Sequence, residues 1–137
     1  VVPCPKRFPE ALPTLAERWD DFDFFFVHVK QTDQAGEDGN LAEKVAVLEE
    51  VDAALPRLLE LEPDVLAITG DHSTPCPMAA HSWHPVPLLV NARFAFVDDC
   101  QAFHEEEASR GSLGLFPAEK LLGLLLAHAG RLAKFGA

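Results

Sequence analysis

The sequence predicts an α/β protein with a mostly parallel sheet and helices on both of its faces. Three observations carry this. The run Phe24-Phe25-Phe26-Val27-His28-Val29 is almost continuously apolar, as a strand covered on both sides must be. From Leu41 the period changes: Leu41, Val45, Leu48, Asp52 and Leu55 fall three or four residues apart, the stripe of a helix. A second apolar run, Val65 to Thr69, follows. Strand, helix and strand joined in this way form a crossover between parallel strands.

The elements follow in order. Residues 9–19 predict a short helix leading into a turn at Asp20-Asp21. The first strand is expected from Phe22 to Lys30, ended by the Gly- and Asp-rich loop 33–40. Asn40 suits an N-cap, with Glu43 three residues on as in a capping box. Pro56 should kink or break the helix. Pro63-Asp64 opens the second strand, Val65 to Thr69, which ends at Gly70. Proline at 85 and 87 favours a third short strand, Val86 to Val90. Residues 101–109 read as a polar surface helix and 110–114 as a turn. Pro117 starts a final helix, 117–135, with Leu121, Leu124, Leu125, His128 and Leu132 along one side. We expect one domain over residues 1–137, with 1–20 as a linker or the remnant of a preceding region.

Composition removes several function classes. At 137 residues the chain can bury a core. A net charge of −11 argues against nucleic-acid binding, which needs a cationic surface. No apolar run approaches the roughly 20 residues that cross a bilayer, and no secretory signal is evident at the amino end. Cys4, Cys76 and Cys100 are scattered and lack CxxC spacing. They point to a reducing compartment and a cytoplasmic location rather than a disulfide framework. The chain opens Val1-Val2 without an initiator Met, which fits processing or membership of a longer polypeptide.

The chemistry gathers after the apolar runs. Ligands of open parallel sheets bind beyond the carboxyl ends of the strands. Asp33 follows the first run, Asp71-His72 follows the second, and His81 comes just before the third. Carboxylate with imidazole suits manganese, zinc or iron better than calcium. His28 falls on a buried strand and is expected to be a satisfied core residue. His104 and His128 lie on helices and carry no signal. Neither Ser73 nor Ser82 has the partners of a nucleophile.

Two stretches carry a family resemblance. Phe26-Val27-His28-Val29-Lys30-Gln31-Thr32-Asp33-Gln34-Ala35-Gly36-Glu37-Asp38-Gly39 is one. The other is Thr69-Gly70-Asp71-His72-Ser73-Thr74-Pro75-Cys76, with His81-Ser82 and Pro85-Val86-Pro87. They resemble the archaeal-type cofactor-independent phosphoglycerate mutases of the alkaline phosphatase superfamily, from about residue 20 onward. The resemblance implies an alkaline-phosphatase-like α/β fold, here a partial domain. It implies two divalent metal ions: manganese first, with zinc, magnesium or cobalt as alternatives. Asp33 and His81 would hold one ion. Asp71 and His72 would hold the other, with an Asp and the nucleophilic Ser of an amino-terminal segment. Paired cations would neutralise the phosphoryl group in transfer and activate the hydroxyl. Lys30 would face the phosphate of a small phosphorylated substrate.

The chain departs from that family twice. The second His of the first loop would fall at position 37, where this chain has Glu37. The segment bearing the nucleophilic Ser has no counterpart in it, nor does most of the substrate-binding cap. The expectation is therefore a carboxyl-terminal fragment of a metal-dependent phosphoglycerate mutase, interconverting 3- and 2-phosphoglycerate only with the missing amino-terminal segment. By itself the chain should be inactive. The alternatives are a related phosphohydrolase or phosphomutase on the same metal platform, or a non-catalytic metal-binding module.

Overall fold

The computed structural model describes Pro5 and residues 7–132. Cys4 and residues 133–135 of the expected last helix lie outside the described residues. The chain divides into two units, the first running to Glu62 and including Thr74–Ser82. The second takes Pro63–Ser73 and the chain from Trp83 onward. Among the described residues no helix is long and apolar enough to cross a membrane.

The first unit is helical. Helix α1, Phe8–Glu17, stands where a short helix is expected over residues 9–19, and Pro9 sits in its first turn, where a missing N–H costs nothing. Phe8, Ala11 and Leu12 are buried, and α1 packs on α3, Leu41–Leu59. Arg7, at the N-cap of α1, pairs with Glu50 of α3. A 3₁₀ turn, Trp19–Asp21, follows α1.

The expected strand over Phe22 to Lys30 does not form. A strand is stable only when a neighbouring backbone takes up its N–H and C=O groups, and no described strand pairs with this segment. Phe25 stacks on Trp19 at 4.9 Å, with Phe22 edge-on to it at 5.9 Å. Phe24 and Phe26 are 59% and 78% exposed. His28, expected in the core, is exposed as well, its ring 6.2 Å from that of Phe26.

The expected loop 33–40 is instead mostly helix: α2 spans Gln31–Glu37. It ends in a Schellman turn. Gly39 takes φ +65°, a left-handed conformation that suits a residue without Cβ. Its N–H donates to the Gly36 carbonyl at 3.1 Å, and the Asn40 N–H donates to the Ala35 carbonyl at 2.8 Å. The Asn40 side chain then accepts from the Glu43 N–H at 3.1 Å and starts α3, as the sequence predicts. Pro56 lies inside α3 without ending it.

The apolar stripe predicted for α3 is turned by one residue. Lys44, Val47, Glu50, Val51, Ala54, Leu55 and Leu58 are the covered positions, so Leu55 of the predicted stripe is covered, whereas Leu41, Val45 and Leu48 are exposed. The helix is apolar on two sides. Periodicity reports which faces want cover and is silent on which one receives it.

The second unit holds the sheet. Strand β1, Val65–Thr69, falls where expected, and β2 is Leu88–Ala92, two residues later than predicted. They pair antiparallel, Val65 opposite Ala92 and Thr69 opposite Leu88. The parallel crossover is therefore not formed by the described residues. Its first strand has no ladder, and the β1–β2 link carries no helix, so the chain doubles back. Such a ribbon is marginal alone, and β1 packs against α5, Leu121–His128. That helix begins after a 3₁₀ turn, Ala118–Lys120, and is closed by Gly130 at φ +67°. The predicted helix over 101–109 shortens to α4, Glu105–Ala108. Before it, Asp98 accepts from the Cys100 and Ser112 backbone N–H groups at 3.1 and 2.9 Å. These bonds hold the Asp98 carboxyl below its ordinary pKa.

Candidate metal centre

The α2 helix aims two carboxylates the same way. Asp33 and Glu37 are four residues apart, so they share a face one turn apart. The Asp33 side chain is only 11% exposed, and a covered carboxylate needs donors. It has them. The Thr74 hydroxyl donates to Oδ1 at 2.6 Å. The Lys30 ammonium, three residues before it, donates to Oδ2.

His81 comes from farther along the chain. After Thr74 the backbone turns sharply, the Met78 N–H donating to the Pro75 carbonyl at 2.9 Å. The returning chain puts His81 Nε2 at 3.4 Å from Asp33 Oδ1 and 3.4 Å from Glu37 Oε1. Two carboxylates and an imidazole are donor types that a divalent transition metal takes, and His81 is close to both carboxylates. Glu37, at the position where the resemblance would put a His, is within reach of the same imidazole.

Thr74 is itself held. It is 4% exposed, and its carbonyl accepts from Lys44 Nζ on α3 at 2.7 Å. A Cβ at Gly36 would collide with that carbonyl and lie 2.9 Å from the Thr74 Cγ2. Glycine inside α2 is therefore a packing requirement. Sequence reading passed over Thr74 and Lys44. The signal for Thr74 was Gly36, three residues after Asp33, which marks a close backbone approach. Nothing in the sequence singled out Lys44.

Asp71 and His72 belong to the second unit, just after β1. Gly70 packs there against Val86, whose Cγ1 would be 3.2 Å from an added Cβ. The His72 N–H donates to Asp71 Oδ1 at 3.0 Å, and His72 Nε2 stands 3.7 Å from Asp71 Oδ2. The Asp71 side chain is largely exposed and that of His72 partly covered.

Known proteins are similar to this chain in sequence. A probable 2,3-bisphosphoglycerate-independent phosphoglycerate mutase of Thermotoga neapolitana is 59% identical over the whole chain, which spans 34% of that protein. The protein of the same description from Thermus thermophilus is 57% identical over 126 residues, 31% of its length. The chain thus spans about a third of the curated relatives it matches. A solved structure of a Pyrococcus horikoshii protein superposes with a TM-score of 0.87 at 37% identity, covering 93% of this chain and 40% of that one. The sequence model of the Metalloenzyme superfamily matches residues 8–128, a stretch that holds every donor described above. On that match the chain belongs to the metalloenzyme superfamily.

Proposed function

We propose that this chain is the metal-binding, carboxyl-terminal part of a cofactor-independent phosphoglycerate mutase. The observation that carries it is that His81 stands 3.4 Å from Asp33 and 3.4 Å from Glu37 in a chain 59% identical to a probable mutase. Asp33 and His81, with Glu37, would hold one divalent cation. Asp71 and His72 would hold a second, together with groups outside this chain. His72 is two residues from Thr74 along the sequence, which supports a common role for the two stretches. The ions would be manganese, or zinc, magnesium or cobalt. When bound, they supply positive charge that offsets the phosphoryl oxygens in transfer and lowers the pKa of the attacking hydroxyl.

The chain's own residues have defined tasks in this reading. Thr74 and the α2 helix orient Asp33, and Glu37 supplies a carboxylate where an imidazole is expected. Lys30 neutralises Asp33 and would face a substrate phosphate. The nucleophilic serine and the glycerate-binding cap would come from the rest of the mutase, which works in the cytoplasm. The complete protein would carry a mostly parallel sheet.

Calorimetric titration of the chain with manganese tests the metal reading. Wild type should bind saturably, and D33A and H81A should lose at least tenfold in affinity. Equal binding by wild type and both variants would refute it. A mutase assay tests the rest: the chain alone should not interconvert 3- and 2-phosphoglycerate, and robust turnover by it would contradict the assignment.

A further inference from the structure

We infer that Thr74 is the positioning residue of the metal centre, acting on Asp33 through its hydroxyl. This rests on the metal reading above and goes beyond it. A ligating carboxylate has two oxygens with several lone pairs between them, and its rotation must be fixed for one to face a cation. Thr74 does this from the buried side. Its hydroxyl donates to Asp33 Oδ1 at 2.6 Å, a short charge-assisted bond. At 4% exposure it has little room to leave.

The residue is clamped from two directions. Lys44 Nζ grips its carbonyl at 2.7 Å. Gly36, on the same helix as Asp33, lets that carbonyl and the Thr74 methyl come against the backbone of α2. Carboxylate and hydroxyl are thereby referenced to one piece of helix. Thr74 touches no reacting atom in this arrangement. Its effect passes through the orientation of Asp33, so it should alter metal affinity more than folding.

The test is manganese titration of wild type, T74V, T74S, K44M and D33A, with thermal melts of each in the absence of metal. Valine keeps the shape and both branches of the side chain and removes only the donor. T74V should bind manganese about 10–100-fold more weakly, T74S should stay within about threefold of wild type, and K44M should fall between T74V and wild type. A merely structural Thr74 would lower the melting temperature and leave the affinity of the folded protein unchanged, and that pattern overturns the proposal. Should T74V fail to fold, K44M decides, and wild-type affinity in K44M overturns it. If wild type binds no better than D33A, the metal reading itself fails and this inference falls with it. Loss in T74V beside tight wild-type binding supports both.

Discussion

Glu37 Oε1 and His81 Nε2 stand 3.4 Å apart, the same spacing that separates His81 from Asp33. A carboxylate one helical turn beyond Asp33 therefore meets the same imidazole. Glu37 should act as a donor, and its identity should tune which metal is preferred. E37A is expected to weaken manganese binding about tenfold, by analogy with the loss of supporting groups. E37H should raise the ratio of zinc to manganese affinity, because imidazole suits zinc and carboxylate suits manganese. Competition titrations measure that ratio, and an unchanged ratio would remove Glu37 from the site.

Lys30 donates to Asp33 Oδ2, so an ammonium and a metal ion compete for one carboxylate. K30M should tighten manganese binding to this chain a few-fold, and the effect should shrink as salt screens the ammonium. Isothermal calorimetry at two ionic strengths checks both parts. Weaker binding in K30M would mean that Lys30 assists the ion.

Gly36 has no room for a side chain. G36A would drive a methyl into the Thr74 carbonyl, and backbone yields less easily than a flexible side-chain end. The expected loss is about 1–3 kcal/mol of folding stability, read from urea denaturation, with weakened metal binding as a second consequence. Stability unchanged within error would show that α2 and the Thr74 segment can move apart.

The Asp98 loop gives a pH signature. Its carboxyl is held below the ordinary value first by the Ser112 N–H and then by the Cys100 N–H. A depressed folded-state pKa stabilises above the unfolded value, and that contribution is lost as pH falls through the folded one. The stability difference between wild type and D98N should be constant near neutrality. It should shrink below about pH 4, the ordinary Asp range. Denaturant midpoints across this window provide the measurement, and a difference that grows on acidification would contradict the sign.

Local chemistry was legible in the sequence, and long-range pairing was not. Strand β1 and the Asn40–Glu43 cap fall where the residues predict them, because apolar runs and capping side chains act within a few positions. Asp33 and His81 were named as possible partners and do meet. The Phe22–Lys30 segment was misread because a strand is a property of two segments, and its own residues say nothing of the second. The β1–β2 hairpin was missed for the same reason: two strands can pair in either sense with identical side-chain patterns. Helix α2 was hidden by Gly36 and Gly39, whose density suggests a loop. One serves close packing and the other ends the helix.

Asn40 closes one helix with its backbone and opens the next with its amide side chain, so the link between them is only Asp38, Gly39 and Asn40. Asp33 and the Lys44 that grips Thr74 therefore ride on the two arms of a single elbow. A substitution at that elbow would act on the cage at a distance, changing its bite without touching any of its teeth.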